Sequence, residues 1–287
     1  MECRLPDYGE IWKNHVLASE SPRMKDDAAE EQFWQRFIEG KQYCPDAASR
    51  RVLQYLRPIL QKYGIHSALE FGPGWGNYTL DLAKLCGKMT CVDISSHVLA
   101  FIDRTAKEHG IPEISLIHSK WEDFEPEEKY DLVFGYNCFY RQADLKDCFR
   151  KMNRAGRKLC VVGMNTGTLP RWAREIEAAG GRLSWDFKDY VYFSGVLYQM
   201  GICANVRVLP FEKELVYESR EALVSGELQR CSITGAAPEK AAEILCRYFK
   251  EQKDGTWRGS AGFHSGIVWW EPAEAEENPE TERFLRT

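Results

Sequence analysis

The stretch that most constrains the fold runs from residue 67 to residue 77 and reads SALEFGPGWGN. A short apolar segment there leads into Gly72, Gly74 and Gly76, which alternate with other residues, and an amphipathic stretch follows at 78–85. Glycine allows positive φ and leaves backbone N–H groups open to a ligand, because no Cβ stands in the way. The pattern predicts a strand, a tight turn that a ligand can approach closely, and a helix.

Short apolar runs and amphipathic stretches continue to alternate after this turn. Strands are predicted at 68–71, 89–92, 115–118, 131–135 and 158–163, and helices at 78–85, 97–108 and 144–153. Strands separated by helices are typical of a parallel sheet. The expected fold class is therefore α/β: a doubly wound, Rossmann-like sheet of about seven strands with helices on both faces and an N-terminal helical extension.

Three regions are expected along the chain. Residues 1–64 form a helical extension, because apolar residues recur there at helical spacing; Pro58 should kink or break its second helix. Residues 65–271 form the α/β domain with a helical insertion around 185–203, and residues 272–287 form an acidic tail. Within that domain, APEKAAEILCRYFKEQ is expected to be one helix, NVRVLPFEKELVYE an edge strand interrupted by Pro210, and GIVWWEP a closing strand.

Composition narrows the possible partners and the compartment. The net charge is −5 and the sequence has no run of five or more Lys or Arg, so a nucleic-acid partner is not expected. The ten Cys include no Cys-x-x-Cys pair, which indicates reduced thiols and no metal site. No apolar run approaches the ~18 residues of a membrane span. We therefore expect a soluble cytoplasmic protein, monomeric or homodimeric, that does not bind membranes.

The glycine turn also carries a family resemblance. Glu70 stands two positions before the first glycine, and the spacing is G-x-G-x-G, whereas a dinucleotide site would show G-x-G-x-x-G. This stretch resembles the first motif of class I S-adenosylmethionine-dependent methyltransferases, and the resemblance extends over about residues 68–163. It implies S-adenosyl-L-methionine as the cofactor and methyl transfer as the reaction.

The resemblance also implies which residues hold the cofactor. Asp93 ends the second strand, where a carboxylate can accept from both ribose hydroxyls, although nicotinamide enzymes place an acid there too. Lys120 stands where the family commonly has an acidic residue that binds adenine, so the adenine should instead meet the backbone at Trp121 and the carboxylate of Glu122 or Asp123. The expected cofactor-binding residues are Glu70, Phe71, Gly72, Pro73, Gly74, Gly76, Asp93, Ile94, Lys120, Trp121, Glu122, Gly135 and Tyr136.

Catalysis and substrate binding are less specified. In-line displacement of a sulfonium methyl needs positioning more than acid–base chemistry, so a dedicated base can be absent. The groups considered for deprotonation are Tyr140, His97, His118 and His264, with Tyr140 and His118 retained as catalytic candidates. Aromatic residues of the extension and of the insertion are candidates for the substrate pocket, with core packing as the alternative. These are Tyr8, Trp12 and Trp34 of the extension and Tyr190 of the insertion; Tyr140, which follows the fourth predicted strand, is a further candidate.

Three functions remain open from the sequence. The acidic composition without a basic patch favours a methyltransferase that acts on a small molecule. The alternatives are a methyltransferase that acts on protein or RNA, and a nicotinamide-dependent oxidoreductase or catalytically silent nucleotide-binding protein.

Overall fold

The structure is a computed structural model that describes residues 5–111, 114–184 and 189–272. Helices precede the first strand: α1 (Tyr8–Ala18), α2 (Pro22–Lys25), α3 (Asp27–Ile38) and α4 (Ala47–Lys62). The alternating part then comprises β1 (Ser67–Phe71), α5 (Thr79–Cys86), β2 (Lys88–Asp93), α6 (Ser96–Glu108), β3 (Ile114–His118), β4 (Tyr130–Tyr136), a 3₁₀ turn (Phe139–Arg141), α7 (Leu145–Ala155) and β5 (Gly156–Gly167).

The rest of the chain mixes shorter helices with two long strands. Its elements are α8 (Arg171–Ala178), β6 (Arg182–Leu183), α9 (Tyr190–Gln199), β7 (Asn205–Tyr217), α10 (Arg220–Arg230), β8 (Ile233–Thr234), α11 (Pro238–Leu245), β9 (Lys250–Glu251) and β10 (Trp257–Trp270). None of the described helices is both long and apolar enough to cross a bilayer.

The main sheet confirms the predicted fold class. Its strand order is β3-β2-β1-β4-β5-β10-β7, with β9 paired to β10 as the eighth strand. The pairs β1–β2, β1–β4, β2–β3 and β4–β5 are all parallel. From β1 the chain passes to β2 and β3 on one side of β1 and then returns to the other side with β4. Crossovers between parallel strands are right-handed as a rule, so this change of direction places helices on both faces of the sheet. The strand order reverses between β1 and β4, where ligands bind in open α/β sheets.

A side chain caps α3, and α4 continues through the proline at which a kink or a break is predicted. The Asp26 carboxylate accepts from the N–H of Ala28 at 3.0 Å and so caps α3. Pro58 lies inside α4, which is unbroken from Ala47 to Lys62. Pro58 removes one backbone hydrogen bond, but Leu56 and Leu60 on either side of it are buried and hold the helix against the core.

Contacts divide the chain into two compact units, and this division differs from the predicted regions. Unit 1 comprises residues 1–164, 188–207 and 266–287, and unit 2 comprises 165–187 and 208–265. The predicted insertion at 185–203 contributes α9 to unit 1, because Phe193, Val196 and Leu197 are buried in a core shared with Phe139 and Phe149. The flanking stretches leave the predicted 65–271 domain to form unit 2.

Unit 2 has a core of its own and an unpredicted helix. Trp172, Leu223, Ile233, Leu245 and Phe249 are buried together there, and α10 supplies part of this core. The helix expected to run on to residue 252 ends as α11 at Leu245, because residues 250–251 pair with β10 as strand β9. The predicted acidic tail lies outside the described residues from 273 onward.

Candidate functional site

A cavity of about 280 Å³ lies in unit 1 at the carboxyl ends of β1 and β4. The glycine turn, the end of β2, the segment after β3, the turn after β4, and helices α2 and α3 all contribute to its lining. Most of the predicted cofactor residues line it, namely Phe71, Gly72, Pro73, Gly74, Asp93, Ile94, Lys120, Trp121, Glu122 and Tyr136, together with Trp34 and Tyr140 from the substrate candidates.

The first two glycines of the turn are required by the backbone. Gly72 and Gly74 have φ values of +61° and +55°, which side chains rarely tolerate. A Cβ on Gly72 would lie 2.3 Å from the Cβ of Cys138, and one on Gly74 would lie 3.0 Å from Cη2 of Trp34. The turn therefore packs directly against the segment after β4 on one side and against α3 on the other.

Three of the predicted cofactor residues lie behind the cavity wall and are not among its lining residues: Glu70, Gly76 and Gly135. Glu70 is buried and accepts a 2.7 Å hydrogen bond from the Thr79 hydroxyl, and burial raises the pKa of its carboxyl to about 8. A Cβ on Gly135 would lie 2.4 Å from the Phe71 ring, so this glycine makes room for Phe71. The three residues therefore support the residues that line the cavity and do not line it themselves.

Asp93 presents a buried carboxyl to the cavity. One of its oxygens accepts from the N–H of Ser95 at 2.8 Å. Burial raises the pKa of Asp93 to about 7, against the opposing effect of hydrogen bonds from the backbone at Ser95 and Gly74. The neighbouring candidate base, His118, is exposed, and its Nε2 lies 2.7 Å from the carbonyl oxygen of Ile94. His118 does not line the cavity.

The segment after β3 is held by a lysine that the sequence did not single out. Trp121 stacks on Phe71, with ring centroids 4.4 Å apart, and Lys120 pairs with Asp27 of α3 at 2.5 Å. The ammonium of Lys151 in α7 donates to the carbonyls of Trp121, Glu122 and Phe124 at 2.8, 2.7 and 2.9 Å. The sequence signal for Lys151 was its position three residues after Cys148, which places a lysine on the apolar face of the helix predicted at 144–153.

A second missed group lies on α3. The carboxylate of Glu30, only 1% exposed, lines the cavity and accepts from Arg23 at 2.8 and 3.0 Å and from the indole N–H of Trp34 at 2.7 Å. The Tyr140 hydroxyl also donates to Glu30 and accepts from Arg23 at 3.1 Å. Burial, reinforced by the Glu30 carboxylate, raises the pKa of Tyr140, so its phenol stays neutral and is unsuited to act as a base.

His97 and His264, the two other histidine candidates, do not line the cavity. Glu31 of α3 accepts from the Ser96 hydroxyl at 2.6 Å and contacts Nδ1 of His97 at 2.5 Å. Burial alone would raise the pKa of Glu31, but hydrogen bonds from Ser95, Ser96 and His97 lower it to about 2. His264 belongs to β10 in unit 2. Tyr140 is therefore the one deprotonation candidate that lines the cavity.

Three of the substrate candidates pack elsewhere in unit 1. Trp12 is buried and donates to the carbonyl of Gln142 at 2.7 Å. The rings of Tyr8 and Tyr190 fill the space beside Gly195 and Gly266. These three residues do not line the cavity: Trp12 belongs to the buried core of unit 1, and Tyr8 and Tyr190 are partly buried against it.

Among the described residues, no group of three or more His, Cys, Asp or Glu side chains is placed to hold a metal ion.

Comparison with known proteins finds one matching family model and one relative. Residues 68–158 match the family model of a methyltransferase domain. The chain is 23% identical over 274 residues to an uncharacterized protein of Haemophilus influenzae, covering 92% of this chain and 96% of that protein.

One solved structure shows the same fold at low sequence identity, and a second matches less closely. The YcgJ protein of Bacillus subtilis matches with a TM-score of 0.50 and 12% identity, over 77% of this chain and 99% of that chain. A SAM-dependent methyltransferase from Aquifex aeolicus matches with a TM-score of 0.43 and 11% identity, over 81% and 100%.

Proposed function

We propose that the protein, whose residues 68–158 match the model of a methyltransferase domain, transfers the methyl group of S-adenosyl-L-methionine to a small-molecule acceptor. The observation that carries the proposal is the position of Gly72, Gly74 and Asp93 together on one cavity at the switch point between β1 and β4. Ligands of open α/β sheets bind at that point.

The residues present fit this cofactor. Gly72 and Gly74 present bare backbone to the cavity that they line, and their lack of a Cβ lets Cys138 and Trp34 pack closely against the turn. The Asp93 carboxyl is buried with a raised pKa, so it has fewer donors than its charged form needs, and two ribose hydroxyls would supply them. The stacked pair of Phe71 and Trp121 forms a flat wall beside it. The bound cofactor would supply a methyl group on a sulfonium, which leaves as a neutral thioether.

Two features favour a small acceptor. Helices α2 and α3 place Met24, Trp34 and Phe37 in the cavity lining, so the site is partly covered by the N-terminal extension. The chain also carries a net charge of −5, which disfavours an RNA substrate. The acceptor therefore has to be small enough to pass beneath or beside these helices.

Calorimetry with S-adenosylhomocysteine and with NAD tests the cofactor. We expect S-adenosylhomocysteine to bind and Asp93→Ala to weaken it by roughly 2 to 5 kcal/mol, the range for losing one partner of a buried charge-assisted pair. Asp131→Ala is the matched control, because Asp131 is also a buried carboxylate but pairs with Arg157 and Lys158 at the other end of β4. Binding of NAD alone, or equal losses in the two variants, would refute the proposal.

A second experiment tests the size of the acceptor. The protein is incubated with methyl-labelled cofactor and a cell extract, and the label is then separated by ultrafiltration and nuclease treatment. We expect the filtrate to contain a labelled product that chromatography separates from unreacted cofactor and that is absent when the protein is omitted. Label retained with protein, or released only by nuclease, would instead identify a macromolecular acceptor.

A further inference from the structure

The part of the cavity formed by the N-terminal extension and the 3₁₀ turn has a distinctive chemistry. We call it the acceptor wall and define it by Glu30, Trp34, Phe37 and Tyr140. Trp34 and Phe37 meet edge to face with ring centroids 5.5 Å apart. Because the two rings are nearly perpendicular, the wall offers the flat face of one ring at a time, with the polar atoms of Glu30 and Tyr140 beside it.

The charges at this wall are already paired with one another. Arg23 binds Glu30 through two nitrogens, while Asp27 pairs with both Lys120 and Arg141. An anionic acceptor would therefore have to break one of these ion pairs to find a cation. An acceptor that must lose a proton before it reacts would find Glu30 already accepting from Arg23, Trp34 and Tyr140.

The Tyr140 oxygen retains one hydrogen-bonding position. A phenol oxygen has one hydrogen to donate and two lone pairs that accept. The hydrogen is donated to Glu30, and one lone pair accepts from Arg23 at 3.1 Å. Because Tyr140 lines the cavity, the second lone pair is the polar feature that it can present to a bound molecule. That lone pair accepts a hydrogen bond and cannot donate one.

We propose that the methyl acceptor is the nitrogen of a neutral amine on a flat apolar body, oriented by an N–H···O hydrogen bond to Tyr140. Glu30 acts as a positioning residue, since it fixes the direction of the Tyr140 hydroxyl. This inference rests on the proposed methyl transfer and specifies its substrate class.

A neutral amine suits the acceptor wall better than a hydroxyl group does as the methyl acceptor. A neutral amine can donate an N–H to Tyr140 while its lone pair forms the new N–C bond. The S–C bond breaks with its electron pair on sulfur, and the surplus proton on nitrogen then leaves to water. A hydroxyl or phenol needs a base to become a good nucleophile, and neither the neutral Tyr140 nor the saturated Glu30 is suited to that role.

The test uses amine probes with matched hydroxyl compounds in the presence of saturating S-adenosylhomocysteine. The pairs are aniline and phenol, benzylamine and benzyl alcohol, and tryptamine and tryptophol, with toluene as a probe that lacks a donor. Buffer is alkaline enough to leave a neutral fraction of each amine. We expect Tyr140→Phe to weaken amine binding roughly three- to tenfold, as for the loss of one hydrogen bond, and to leave toluene binding unchanged.

Tyr217→Phe in unit 2 is the matched control, because the Tyr217 hydroxyl also donates to a buried glutamate, at 2.5 Å. It should leave amine binding unchanged. Glu30→Gln should weaken amine binding in the otherwise wild-type protein but add no further loss to Tyr140→Phe, the coupling expected of a positioning residue. Methyl-labelled cofactor should then label the nitrogen of at least one amine and none of the hydroxyl partners.

Failure of the inference is distinguishable from failure of the proposed function. If wild-type protein does not bind S-adenosylhomocysteine, the proposed function fails. If it does, the inference falls when no amine of the panel binds, when a hydroxyl partner is methylated, or when Tyr140→Phe binds amines as well as wild type does. A tenfold loss of S-adenosylhomocysteine affinity in Tyr140→Phe would also overturn it, because Tyr140 would then belong to the cofactor site.

Discussion

Unit 1 and unit 2 each contain the same four-residue cluster around a buried glutamate. In unit 2, Glu227 accepts from Arg230 at 2.9 and 2.5 Å and from the indole N–H of Trp172 at 2.7 Å. The hydroxyl of Tyr217 completes this cluster at 2.5 Å. Glu30 has one arginine, one tryptophan and one tyrosine as its partners too.

The two clusters differ in what they face. The Glu227 cluster joins α8, β7 and α10 and adjoins the apolar core of unit 2. The Glu30 cluster joins α2, α3 and the 3₁₀ turn, with Tyr140 110 residues away along the chain, and its carboxylate lines a cavity. The comparison teaches that a buried ion pair is not by itself evidence of function, and that the surface it faces decides its role.

The largest expected effect separates the two glutamates by stability. Glu227→Gln should lower the free energy of unfolding by roughly 3 kcal/mol, because the indole N–H of Trp172 and the hydroxyl of Tyr217 lose a carboxylate acceptor beside the core of unit 2. Glu30→Gln should cost only about 1 to 2 kcal/mol, since water in the cavity can accept from Trp34 and Tyr140 instead. The side chains of Arg23 and Arg230 are equally exposed, at 32%, so they do not distinguish the two variants. Urea unfolding of both variants measures the difference. Equal losses would mean that water in the cavity does not replace the lost acceptor and that both clusters serve packing alone.

The tryptophans provide an intermediate effect. Trp172→Phe removes an indole donor from a buried carboxylate and should cost about 1 to 3 kcal/mol of stability without changing S-adenosylhomocysteine affinity. Trp34→Phe should weaken that affinity roughly three- to tenfold, because the Trp34 ring contacts the glycine turn at Gly74. Calorimetry measures the affinity of the two variants for S-adenosylhomocysteine. Unchanged affinity in Trp34→Phe would make the Glu30 cluster as remote from the ligand as its counterpart.

The smallest expected effect is a pH dependence that arises in unit 1. S-adenosylhomocysteine affinity should rise by up to about tenfold from pH 6 to pH 8, because Asp93, whose pKa burial raises to about 7, accepts hydrogen bonds best when ionised. Asp93→Asn should remove this rise, whereas Glu227→Gln should retain it. A flat profile in the wild-type protein would contradict the assigned role of Asp93.

The ligand-free protein should respond to pH in the opposite sense. Burial raises the pKa values of Glu70 and Asp93 to about 8 and about 7, so the folded protein retains protons that the unfolded chain releases from about pH 4 upward. Stability contributed by these two groups therefore falls as the pH rises from about 4 to about 8. Thermal unfolding across this range, with and without S-adenosylhomocysteine, measures both trends.

Local patterns predicted the core of the sheet and the cofactor end of the cavity. The apolar run before Gly72 and the acid after the second strand are each legible within a few residues, and Gly72, Gly74 and Asp93 do line the cavity. The acceptor wall was less predictable, because the sequence shows Glu30 only as a polar residue of a helix. Its contact with Tyr140 depends on the fold. Aromatic content alone could not distinguish the cavity residue Trp34 from the core residue Trp12.

The second half of the chain was predicted least well for a related reason. The pattern did not show that α9 joins the core of unit 1 while its flanking stretches form another unit, since that depends on contacts between segments far apart in sequence. Of the kink or break predicted at Pro58, the break does not occur, because burial of Leu56 and Leu60 overrides the local cost of proline.

The position of Lys151 has a consequence for chemical reactivity. Its ammonium is held against three backbone carbonyls and its side chain is only 3% exposed, whereas most surface lysines are open to amine-directed reagents. Acylation at Lys151 therefore requires the segment from Trp121 to Phe124 to detach first. The rate of acylation at Lys151 therefore reports how often this wall of the cavity opens locally. A ligand that binds against the wall and stabilises it should lower that rate.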